Sequence, residues 1–144
     1  MRRTKAASRW SAEVEVQVQF HDLDPMEIVW HGNYARYLEV ARCALLDRIE
    51  YNYPQMKASG YMWPIIEMHL RYVAVATFCQ RLLVRADIVE WENGLRIDYL
   101  ISDVASGKRI NRATTTQVAV DIGTREMCFV SPPVLFDKLG VQAP

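Results

Sequence analysis

Asn33-Tyr34-Ala35-Arg36-Tyr37-Leu38-Glu39-Val40-Ala41-Arg42-Cys43-Ala44-Leu45-Leu46-Asp47-Arg48-Ile49-Glu50 is the stretch on which the fold turns. Tyr34, Tyr37, Leu38, Ala41, Leu45 and Ile49 recur at steps of three and four, which sets one apolar stripe along a helix. Arg36, Glu39, Asp47 and Arg48 lie away from that stripe. Asn33 stands where a helix N-cap is favoured. Such a helix is about 24 Å long. Pro54 either ends it or opens a short second helix before Gly60.

Around this helix the period is two. Val14, Val16, Val18 and Phe20 alternate with Glu13, Glu15, Gln17 and Gln19, the pattern of a strand with one wet face. After the helix, Ile66, Met68, Leu70 and Tyr72 alternate with Glu67, His69 and Arg71. Leu82 to Ile88 and Leu95 to Ile101 repeat the pattern across Asn93-Gly94, a hairpin turn signal. Ser106-Gly107 marks another turn, and Thr114, Thr116, Val118 and Val120 are expected on one face of the strand that follows. Ser131, Pro132 and Pro133 are placed to start a last short helix, with Gly140 closing it. One long helix among antiparallel strands implies an α+β domain. A sheet of roughly five strands, apolar on one face, needs one object to cover it, and the central helix is the only candidate.

Composition agrees. The chain has 144 residues, 51% apolar and 24% charged, which suits a single globular domain. Lys+Arg and Asp+Glu are both 17, so no long polyanion such as nucleic acid is implied as a partner. Arg2, Arg3, Lys5 and Arg9 make residues 1–10 a basic tail before a domain over 11–144. No apolar run follows that tail and none approaches a membrane span. Cys43, Cys79 and Cys128 show no metal or disulfide spacing, so a reducing, cytoplasmic compartment is expected. His21, His31 and His69 form no metal motif, and no Gly-x-Ser-x-Gly elbow exists.

The segment joining the first strand to the helix carries the chemistry: Phe20-His21-Asp22-Leu23-Asp24-Pro25-Met26-Glu27-Ile28-Val29-Trp30-His31-Gly32-Asn33-Tyr34. It resembles the 4-hydroxybenzoyl-CoA thioesterase branch of the hot-dog superfamily, which includes thioesterases associated with the Tol–Pal system. That branch carries Asp-x-Asp-Pro-x-Gly-Ile-Val-Trp/Tyr-x-x-Asn-Tyr. Asp22, Asp24, Pro25, Ile28, Val29, Trp30, Asn33 and Tyr34 match it. Glu27 stands where the family usually has Gly, and Phe78-Cys79-Gln80-Arg81 stands where it commonly has a Gly-Asp turn.

The resemblance implies a hot-dog fold and a thioesterase acting on acyl-CoA or an acyl carrier protein. It needs no cofactor, since coenzyme A or phosphopantetheine arrives with the substrate. It implies a homodimer or homotetramer, because hot-dog proteins pair a sheet edge with another subunit. Asp24 would be the catalytic carboxylate, as nucleophile or as general base. The oxyanion would be met by free amides at the helix start. The analogy puts the key amide at His31, whose imidazole is a further candidate, with Gly32 allowing close approach. Trp30, Gly32, Asn33 and Tyr34 are the candidate substrate-binding residues. Asp22 reads as a structural hydrogen-bonding residue. Glu39 is the runner-up carboxylate, with an ion pair to Arg42 or Arg36 as its plainer role. Two rivals follow: a hot-dog dehydratase or hydratase using His31 and Glu39, and a non-catalytic acyl-thioester-binding protein.

Overall fold

The computed structural model describes residues 9–144. Arg2, Arg3 and Lys5 of the basic tail lie outside the described residues. Trp10 already packs on the domain, edge to face with Trp91 at 4.9 Å. The elements run β1 (Ser11–Gln17), α1 (Tyr34–Arg48), α2 (Tyr53–Ala58), β2 (Tyr61–Met62), β3 (Ile65–Tyr72), β4 (Arg81–Glu90), β5 (Leu95–Asp103), β6 (Arg109–Gln117), β7 (Val120–Asp121) and α3 (Pro133–Leu139). Five strands form one antiparallel sheet in the order β1-β4-β5-β6-β3, and β2 pairs with β7. One long helix lies against this sheet, which is the hot-dog arrangement.

The helix stripe behaves as its spacing requires. Tyr34, Tyr37, Leu38, Ala41, Leu45 and Leu46 are buried, in one core with Leu82, Val84, Ala86 and Ile88 of β4 and Leu95, Ile97 and Ile101 of β5. Fully burying one such aliphatic side chain contributes about 1.5–3 kcal/mol. The helix ends without help from Pro54. Glu50 N–H donates to Asp47 O and Tyr51 N–H to Leu46 O, both at 3.0 Å, with Glu50 at φ +56°. That is a Schellman closure, with Glu at the position glycine usually fills. Pro54 sits in the first turn of α2, whose cap is Asn52, accepting from Tyr53 N–H at 2.7 Å.

Two expectations fail for physical reasons. The buried positions along β6 include Asn111, Ala113, Thr115 and Gln117, whereas Thr114 and Thr116 are half-exposed. The strand starts at Arg109, and its core side is polar, so hydropathy picks the wrong face. Ser131 does not cap α3, whose N-cap is Pro132. Its hydroxyl instead accepts from Gly94 N–H at 3.2 Å and holds the β4–β5 hairpin.

The sheet edges differ. β1 carries the ion pairs Glu13–Arg85 and Glu15–Arg81. β3 presents Ile66, 57% exposed, with Met68 and Tyr72 also open. It has no proline or lysine to guard it.

Candidate active site

The link between β1 and α1 is a small hairpin. Leu23 bridges Val29. Asp24 N–H donates to Ile28 O at 2.9 Å and Glu27 N–H to Asp24 O at 2.9 Å. Pro25 suits the second position of this turn because its φ is preset. Glu27 then sits at φ +65°, which explains why glycine is favoured there. The returning arm is pinned on its other side, Val29 N–H to Ala76 O at 2.9 Å. Asp24 is half-buried. Its Oδ1 accepts from Met26 N–H at 2.8 Å, and its Oδ2 takes no hydrogen bond from the described residues.

Asp22 anchors the base of the hairpin. It is 1% exposed. Its Oδ2 accepts from Gln19 N–H at 2.9 Å and from the Tyr37 hydroxyl at 2.8 Å, and its Oδ1 from Arg36 at 3.1 Å. Burial by itself would raise this carboxyl. The donors from Gln19, Tyr37 and Arg36 outweigh it and hold Asp22 below its ordinary value. Burial, and then the Asp22 carboxylate, push the Tyr37 phenol well up, so it remains a donor. The Asp22 carbonyl accepts from Trp30 N–H at 3.0 Å and from Asn33 Nδ2 at 2.8 Å. One buried residue thus ties β1, the hairpin and α1 together.

The helix starts earlier than Asn33. His31–Asn33 form a 310 turn led by Trp30 in an extended conformation. Asn33 holds the N-cap position of α1 but does not cap it: its backbone is already helical and its side chain accepts from no helix amide. Its Nδ2 serves Asp22, and its Oδ1 accepts from Arg36 at 3.0 Å. Asn33 N–H already donates to Trp30 O at 2.8 Å. The amides of His31 and Gly32 have no acceptor among the described residues. They carry the positive end of the α1 dipole. Asp24 sits opposite Ile28 in the hairpin, and the arm that carries Ile28 runs on through Trp30 into this turn.

The other expected residues separate by role. The Trp30 indole is half-exposed and lies over Gly32, where an added Cβ would collide with the ring atoms. Gly32 therefore seats an aromatic ring. The His31 ring touches Trp30, with centroids 5.2 Å apart. Tyr34 is buried against Tyr37 and Tyr72 at 5.8 and 5.6 Å. Glu39 is held by Arg42 at 2.6 and 2.8 Å. It stands eight residues, about 12 Å, along the helix from His31, so His31 and Glu39 do not form a pair. Sequence reasoning missed three positioning groups. Arg36 and Tyr37 hold Asp22, and the Tyr72 hydroxyl donates to His31 O at 2.9 Å. Spacing from Tyr34 could have flagged Tyr37, but nothing local marks Tyr72.

The profile of the Thioesterase-like superfamily matches residues 18–138. The chain belongs to that superfamily. YneP of Bacillus subtilis (strain 168), provisionally named as an acyl-CoA thioesterase, is 28% identical over 109 residues, covering 74% of this chain and 78% of YneP. The crystal structure of Slr0204, a 1,4-dihydroxy-2-naphthoyl-CoA thioesterase from Synechocystis, superposes with a TM-score of 0.79 at 21% identity, over 93% of this chain and 99% of that one. BH1999, a gentisyl-coenzyme A thioesterase, superposes at 0.74 with 18% identity, over 88% and 98%. These two likenesses are of fold.

Proposed function

We propose that the protein hydrolyses an acyl thioester, acyl-CoA before acyl carrier protein, to a carboxylic acid and a free thiol. The carrying observation is the pairing of a carboxylate turn at Asp24 with two unclaimed amides, His31 and Gly32, at the start of α1. Asp24 Oδ2 attacks the carbonyl carbon, or takes a proton from a water that does. The oxyanion is stabilised by the His31 and Gly32 amides in the field of the helix dipole. Trp30, Asn33 and Tyr34 shape the approach to this point. The Asp24 motif keeps the 4-hydroxybenzoyl-CoA branch as the preferred affiliation, and the reaction requires no added cofactor. The cytoplasm is the matching compartment for such a substrate. Among the described residues no helix is long and apolar enough to cross a membrane.

Arg71 and Arg112 face each other across the β3–β6 ladder, and both are exposed. Neither has an ion pair among the described residues. Like charges so placed repel, and the phosphates of a CoA arm would offset that repulsion. The unguarded β3 edge supports a homodimer.

Asp24→Asn is the direct test, because its amide oxygen can still accept from Met26 N–H and keep the turn. Thiol release from an acyl-CoA panel should drop roughly 10²–10⁴-fold with an unchanged circular dichroism spectrum. Turnover equal to the parent protein would reject the role. The separation of His31 from Glu39 disfavours a dehydratase.

A further inference from the structure

Where β1 leaves the sheet and β4 and β6 enter it, the molecule ends in apolar loop tips. Phe20 continues the alternation of β1 in the sequence, yet the strand stops at Gln17, and Phe20 opens a 310 turn at 76% exposure. Phe78, 53% exposed, meets it edge to face at 6.1 Å. The loop of Phe78 is held by its main chain, with Cys79 N–H donating to Val18 O at 3.0 Å and Val18 N–H to Gln80 O at 2.9 Å. Earlier in that loop Val73 and Val75 are exposed, and the amides of Val73 and Ala74 both donate to Ile110 O at 3.0 Å. Val104, also exposed, donates its N–H to Arg81 O at 3.0 Å. Backbone bonds thus fix the loops while the apolar side chains face water, and apolar groups gathered in this way mark an interaction surface.

Cations flank these tips. Lys108 and Arg109 lead into β6 just before Ile110, are exposed, and have no ion pair among the described residues. The acids of this end are partly engaged. Asp103 accepts from Gln80 Nε2 at 2.9 Å and from the amide and hydroxyl of Ser106 at 2.8 Å, and Glu15 pairs with Arg81 at 2.6 Å. Asp24 and Glu27 stand in the turn of the neighbouring hairpin. Apolar tips on separate loops suit the boundary between headgroups and acyl chains, and free cations beside them suit anionic headgroups. A second copy fits less well, because a two-fold contact through this end would bring Lys108 and Arg109 of both copies together. We propose that this end of the sheet docks the protein on an anionic phospholipid surface, lying on the membrane without spanning it. The proposal goes beyond the thioesterase reading and does not need it. The Asp24 hairpin belongs to the same end, since Ile28 bridges Thr77 and Val29 N–H donates to Ala76 O at 2.9 Å. Docking therefore brings that hairpin to the lipid surface.

Co-flotation of the full chain with vesicles tests this, using phosphatidylcholine alone or with about a third phosphatidylglycerol. The chain should float with the anionic vesicles and stay behind with the neutral ones. Lys108→Gln with Arg109→Gln should weaken binding roughly thirtyfold, about fivefold for each cation lost. Phe20→Ser with Phe78→Ser should weaken it at least tenfold, with an unchanged circular dichroism spectrum. Equal flotation with both kinds of vesicle, or flotation with neither, overturns the proposal. So does flotation that survives both double variants, the result expected if Arg2, Arg3, Lys5 and Arg9 carried the binding instead. Self-association that the Phe variants abolish, with no flotation, would assign this end to a second copy and end the lipid proposal. Phe78→Trp gives a reading should the Ser variants not fold. Brominated phosphatidylglycerol vesicles should quench its emission beyond that of the parent protein, and an absence of added quenching counts as failure.

Discussion

At the scale of single residues, the two departures from the family pattern share one cause. Glu27 and Cys79 both occupy left-handed backbone, at φ +65° and +68°, where a Cβ meets the neighbouring carbonyl at a cost of about 1–2 kcal/mol. Glu27→Gly and Cys79→Gly should each raise unfolding stability by about 1 kcal/mol, read as a higher urea midpoint at constant slope. A lower midpoint for either would show that the side chain supplies more than the strain removes. These positions could be recognised in the sequence as anomalies but not as strain, because conformation is not written in residue type. Asp24-Pro25 could be read as a turn from its own chemistry. The ring of Trp30 lying over Gly32 could not, since that contact depends on how the helix begins.

At the scale of elements, α1 was legible because six stripe positions repeat at helical spacing and all are buried. β6 was not, because the polarity of Asn111, Thr115 and Gln117 disguises its core side. The joint between β1 and α1 depends on the Asp22 carboxylate. Folded Asp22 gives up its proton more readily than the unfolded residue. Its stabilisation is therefore complete above the unfolded pKa, near 4, and drains away as the pH falls through the lower folded value. Asp22→Asn should cost about 1.5–3 kcal/mol at pH 7, and the gap to the parent protein should narrow as the pH falls from 5 towards 2. Denaturant unfolding along that pH series checks it, and a gap of constant size would disprove the charge argument.

At the scale of the whole molecule, the sheet has one defended margin and one open margin. The alternation in β3 was plain from the sequence. Its place at the sheet edge was not, because strand order is set by which partners the turns allow. Ile66→Lys changes an exposed side chain and should leave the melting temperature within a few degrees. On the homodimer proposed above, it should also halve the sedimenting mass by breaking edge pairing. An unchanged mass would reject pairing through β3. The same margin reaches the start of α1 through Tyr72, which closes β3 and grips the carbonyl of residue 31. That carbonyl and the Gly32 N–H are two ends of one amide, so a bond at the first polarises the second. A rim strand that draws electrons toward one end of a peptide sharpens the proton at the other, so whatever seats along that rim changes how strongly a free amide at the start of α1 can donate.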